Sequence, residues 1–179
     1  MKQFCHWRRL RDAAGSEIAE AALILPLLFT LLLGIYWFGR AFSIYGTINH
    51  AARMAALTAA APACANCGSA FPADDVVADV ISNALTAANL DPNQVQPLTP
   101  NPMPLQCPDA KVFFQPCRTA STGNFTICQN VLLNQDNLPT QACGMIVSFQ
   151  YPYQFVLPFT SLNKQLVLLK AYAATGGEN

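Results

Sequence analysis

Hydrophobic and polar positions follow different periods along the chain, and each change of period marks a different element. From Ala21 to Phe38, 18 residues pass without a charge. As a helix rising ~1.5 Å per residue, this run covers roughly 27 Å, close to the ~30 Å hydrocarbon core of a bilayer. Pro26 lies inside it. A membrane helix tolerates proline with a mild kink, because neighbouring groups re-satisfy the freed carbonyl. Ala41 to Ala61 has no proline and much alanine, with Phe42, Ile44, Tyr45, Ile48, Met54 and Leu57 among it. The helix is therefore expected to continue to Ala60 and to stop before Pro62. From Ser16 to Ala60 it would be roughly 67 Å long, half in a membrane and half outside as a stalk. Gly46 weakens the stalk by about 1 kcal/mol relative to alanine.

Beyond Pro62 the period shortens. Val76, Val77, Val80, Ile81, Ala84, Leu85 and Ala88 fall near i, i+3/i+4 spacing, which predicts an amphipathic helix over 74–89 packed on the core. Asp74 and Asp75 suit its first turn, where carboxylates meet the positive end of the helix dipole. Asp91 to Pro116 holds seven prolines in 26 residues and reads as loop or sheet edge. Four apolar segments, 111–114, 125–133, 145–156 and 165–173, read as strands, with Pro152 favouring an edge or a bulge. The fold class is α+β: a long N-terminal transmembrane and stalk helix, then a small domain with one helix and an antiparallel sheet packed on the stalk.

Charge orients the span. Lys2, Arg8, Arg9 and Arg11 precede it, whereas from Met54 onward seven acids stand against four bases, a net of −3. The basic flank puts the N-terminus in the cytoplasm and residues after about 45 outside. Without a basic face, nucleic acid is not an expected partner. The run is too long for a cleaved signal core and ends in Tyr36, Trp37, Phe38 and Arg40, like the interfacial end of a true span.

Cysteine usage agrees. Cys64, Cys67, Cys107, Cys117, Cys128 and Cys143 all fall on the outer side, and an even number in a small exported domain reads as a disulfide framework with 15 pairings open. Cys5, on the reducing side, is expected to stay a free thiol. Cys64 and Cys67 have C-x-x-C spacing, so thiol redox chemistry and metal binding are the alternatives to a structural role. A haem site would need histidine where Gly68 stands, and a zinc site a second such pair. His6 and His50 are the only histidines, the outer serines lack a Gly-x-Ser-x-Gly setting, and no phosphate loop or dinucleotide fingerprint is present. No catalytic, cofactor or metal site is expected, and the protein is not expected to be an enzyme. Asn124-Phe125-Thr126 matches a glycosylation sequon that reads as chance.

One acid stands out. Glu20 abuts the apolar run, where a carboxylate is costly unless it lies among headgroups or finds a cation. Gly15 precedes it by five residues, after a basic leader. This arrangement resembles a class III prepilin leader. The run from Glu20 through Leu25-Pro26, Gly34 and Gly39-Arg40 to Ala51-Ala52-Arg53-Met54-Ala55-Ala56 is similar to the TadE/TadG-like pseudopilins of tight-adherence (Tad/Flp, type IVc) pili. The segments 147–159 and 166–175, with Glu178 near the end, resemble the same family more weakly, and the Cys/Pro-rich middle does not. Ala21 follows Glu20 where members commonly carry an aromatic residue.

The resemblance implies a pilin-like fold and roles for particular residues. Gly15 would be the last residue of a leader removed by a prepilin peptidase, and Ser16 the new N-terminus. Glu20 would be the carboxylate that docks on the amine of a neighbouring subunit. The domains would be a leader over 1–15, a transmembrane and stalk helix over 16–61, and an extracytoplasmic α+β domain over 62–179. The protein would be a minor pseudopilin in the bacterial inner membrane. Its partners would be the peptidase, other pilins or pseudopilins and membrane assembly proteins, with its domain outside, capping, priming or presenting adhesive surface. The alternatives are an uncleaved single-span protein with an extracytoplasmic binding domain and a membrane-tethered thiol-disulfide oxidoreductase using Cys64 and Cys67.

Overall fold

A computed structural model describes residues 4–61, 72–107, 117–133, 142–154 and 166–176, with side chains from Glu17 onward. The elements in chain order are α1 (Phe4–Ala60), α2 (Asp74–Ala87), a 3-10 turn (Pro92–Gln94), β1 (Gln96–Pro97), β2 (Cys117–Thr119), β3 (Thr126–Leu132), β4 (Cys143–Gln154) and β5 (Leu166–Gly176). The fold is α+β, with a long apolar N-terminal helix, a short second helix, an antiparallel sheet and disulfides. The chain divides into two compact units, one ending at Ala41 and the other starting at Phe42.

The strand expected over 111–114 lies outside the described residues. The strand starting near 125 spans Thr126–Leu132, and that starting near 145 begins two residues earlier, at Cys143. The proline-rich stretch is less irregular than expected. It contributes β1, and Gln106 bridges to Val131. Prolines spaced several residues apart leave enough N–H groups for short pairings at an edge.

In the second unit, β4 is the organising strand. It pairs with β5 from Gly144↔Gly176 to Gln154↔Leu166 without a break. Its other edge is shared, by β3 up to Ser148 and then by β1 at Phe149 and Gln150. Pro152 therefore sits where β4 has a described neighbour on one side only, and no bulge is needed to accommodate it. The bulge lies instead in β3, between Cys128 and Val131, where Asn130 takes φ +52°. Before the bulge β3 pairs with β2; after it, Cys107 donates to the Asn130 carbonyl and Leu132 to that of Leu105. One strand edge thus serves two partners.

The core lies on the sheet. Phe125, Phe149, Ile48, Leu85, Ile127 and Ile146 are its largest fully buried side chains. Alternate residues of β4 and β5 share a face, and Val147↔Ala173 and Phe149↔Ala171 are buried pairs. Within this unit, residues 42–60 of α1 bury one stripe, Ile44, Ile48, Ala51, Ala52, Ala55, Ala56 and Ala59, at helical spacing. α2 buries Val77, Ile81 and Leu85 and ends in a Schellman turn. Asn89 at φ +56° donates to the Thr86 carbonyl, and Leu90 to that of Leu85.

Candidate functional site

The functional candidate in the first unit is the surface of α1 itself. Between Glu17 and Ala41 no side chain is buried, and Leu23, Ile24, Leu27, Phe29, Leu31 and Ile35 are all more than half exposed. An apolar surface on every side of a helix is what a bilayer or other helices would cover. By length and composition α1 qualifies as a membrane span, and it is the only helix that does among the described residues. Pro26 withdraws one N–H inside the span. One turn on, the Thr30 hydroxyl donates to the Leu27 carbonyl at 2.8 Å. Tyr36 and Trp37 meet edge to face, ring centroids 5.2 Å apart, at the C-terminal end of the apolar run. Glu20 is exposed at the other end. Gly15 and Ser16 are part of the α1 backbone. Gly34, Gly39 and Gly46 face open space, since a Cβ at any of them would meet nothing within 4 Å.

The second unit is fastened at two kinds of place. Cys117 and Cys128, directly opposite in the β2–β3 register, form a disulfide, and Cys107 bridges to Cys143 at the start of β4. Spacing could not choose these pairs, because each depends on which strands become neighbours. Cys64 and Cys67 lie outside the described residues. The second fastening, which the sequence reading missed, joins α2 to β2. The Asp74 carboxylate accepts from both terminal guanidinium nitrogens of Arg118 at 2.6 and 2.7 Å and from the Ser121 N–H at 3.0 Å. The Arg118 hydrogen bonds hold the Asp74 pKa down to about 2, against some desolvation, and that of Arg118 is raised in return. Asp74 does sit in the first turn of α2, as expected, but its partner is an arginine 44 residues away.

Described residues line two of the clefts on the second unit. One, of about 460 Å³, lies between the 98–104 segment and the sheet face carrying Ile146, Lys170 and Tyr172. The other, of about 410 Å³, is lined by Arg53 and Leu57 of α1 and by Tyr172–Thr175 of β5. Burial raises the pKa of Tyr172. Among the described residues no three of His, Cys, Asp and Glu gather as metal ligands would. His50 is exposed on α1.

An apolar helix long enough to cross a membrane, followed in the chain by a disulfide-bearing α+β unit, points to a membrane-associated protein. Residues 15–57 match the sequence profile of the family described as TadE-like protein. The match covers the apolar run and the alanine stripe as far as Ala56. Comparison with curated proteins and with solved structures found no match.

Proposed function

We propose that the protein is a minor pseudopilin-like structural component used in assembling a tight-adherence type IV pilus. The observation that carries this reading is the coincidence of the TadE-like match, which starts at Gly15, with a helix whose apolar surface is unburied from Glu17 to Ala41. A prepilin peptidase cuts between Gly15 and Ser16 on the cytoplasmic side. Glu20 then meets the amine of an adjacent subunit, which removes the cost of a carboxylate at the lip of the membrane. The N-terminus is cytoplasmic in the inner membrane, in keeping with the basic flank. The second unit is outside, in keeping with its disulfides. Gly34 and Gly39 support a helix-packing role. The monomer has room for a larger side chain at both, and glycine inside a helix costs about 1 kcal/mol, whereas small residues let membrane helices approach closely.

N-terminal mass spectrometry of protein extracted from membranes tests the reading. A mature chain starting at Ser16 is expected in cells that contain the peptidase. An intact Met1 there would leave an uncleaved single-span anchor as the better account. Glu20→Ala is expected to be cleaved normally but to be lost from the assembly; normal piliation removes the docking role.

A further inference from the structure

These two clefts of the second unit meet along β5, whose Tyr172 lines both. β5 pairs with β4 over its whole length and, among the described residues, has no strand on its other edge. Such an edge presents unpaired N–H and C=O groups at alternate residues. Leu166, Val167 and Leu168 beside it are 63%, 40% and 43% exposed. The cations facing this region are Lys170 in the larger cleft and Arg53 in the smaller. Both are exposed, and neither has a hydrogen bond or ion pair with a described residue. In a unit whose acids outnumber its bases, two cations with no partner among the described residues beside one strand edge are a local departure.

We propose that the outer edge of β5, which has no strand beside it among the described residues, binds an extended acidic peptide segment as an added strand. Its backbone continues the ladder, its carboxylates meet Lys170 and Arg53, and its apolar side chains cover Tyr172 and the exposed leucines. An acidic polysaccharide could satisfy the two cations but has no alternating amides to continue the ladder, so the unpaired edge favours a peptide. The inference goes beyond the pilus reading and stands without it.

The test uses full-length protein in detergent micelles. The probe is a nine-residue peptide of alternating threonine and valine with two glutamates, followed by amide exchange. Saturable binding is expected, with slowed exchange confined to residues 166–176 and unchanged exchange over α2. Exposed ion pairs contribute up to about 1 kcal/mol, so Lys170→Glu or Arg53→Glu should weaken binding by about fivefold, and a probe with lysines in place of the glutamates should recover it. The proposal is overturned by unslowed exchange at 166–176, or by equal binding of a glutamine-for-glutamate or backbone N-methylated probe. Polygalacturonate binding as tightly as the peptide would assign the surface to acidic glycans instead, and dimers formed through this edge without peptide would assign it to a second copy.

Discussion

At the scale of single residues, the Asp74–Arg118 pair has the clearest energetic signature. The folded-state pKa of Asp74, about 2, lies below its ordinary 3.8, so the fold favours the ionised carboxylate. Its stabilisation is therefore complete above about pH 4 and is lost as pH falls toward 2. Arg118 is half exposed, and solvent screening reduces the benefit below full conversion of the shift, to about 1–2 kcal/mol. Asp74→Asn should lower unfolding free energy by that amount at pH 7 and by almost nothing at pH 2, as read by denaturant melts at both pH values. Gly144 is a different kind of constraint. A Cβ there would strike the Thr175 carbonyl and the Leu133 side chain, at the point where β4 and β5 begin to pair. Gly144→Ala is expected to cost about 1–3 kcal/mol through forced repacking, visible as a lowered melting temperature.

At the scale of elements, α1 does two jobs with two compositions. Its first 18-residue apolar run is bulky and branched, with leucine predominating, and none of it is buried. Its later half buries alanine, and Ala51, Ala52, Ala55, Ala56 and Ala59 are at most 1% exposed. Ala52→Leu should push the helix off its seat and destabilise the second unit by about 1–3 kcal/mol. Leu57→Ala, on the half-exposed outer side, should change thermal unfolding little. Gly34→Leu makes the complementary case. It should leave the melting curve of the second unit unaltered while reducing recovery of the protein with pilus components, because only a neighbouring helix would meet the new side chain.

At the scale of the molecule, the division at Ala41 and Phe42 has a direct consequence. Residues 42–60 belong with the sheet, so a truncated chain starting at Phe42 should remain soluble and fold, whereas one starting at Pro62 strips the alanine stripe from the core and should not. Circular dichroism and cooperative melting distinguish the two. The disulfides Cys107–Cys143 and Cys117–Cys128 enclose sequence separations of 36 and 11 residues. On the loop-entropy account they contribute about 4 and about 3 kcal/mol, so reduction should lower the melting temperature sharply. Peptide mapping without reductant should recover both pairs.

The sequence by itself determined both helices and the segments that form β3, β4 and β5, but not the short strands β1 and β2, because periodicity and proline placement are local properties. An 18-residue uncharged run, the i, i+3/i+4 apolar positions of 74–89 and the break before Pro62 can each be read without knowing any neighbour. The span, its Glu20 and the spacing from Gly15 were legible for the same reason. Tertiary structure alone decided what depends on distant residues coming together. It selected two cystine pairs from 15 possible pairings, since Cys117 faces Cys128 only after β2 and β3 fall into register. It gave Asp74 its partner 44 residues away, made β4 central despite Pro152 by leaving one side of that residue without a described strand, and brought Arg53 and Lys170 to one edge of β5. Pairing across a sheet is set by register and closure, and neither is written into the order of residues along a single strand.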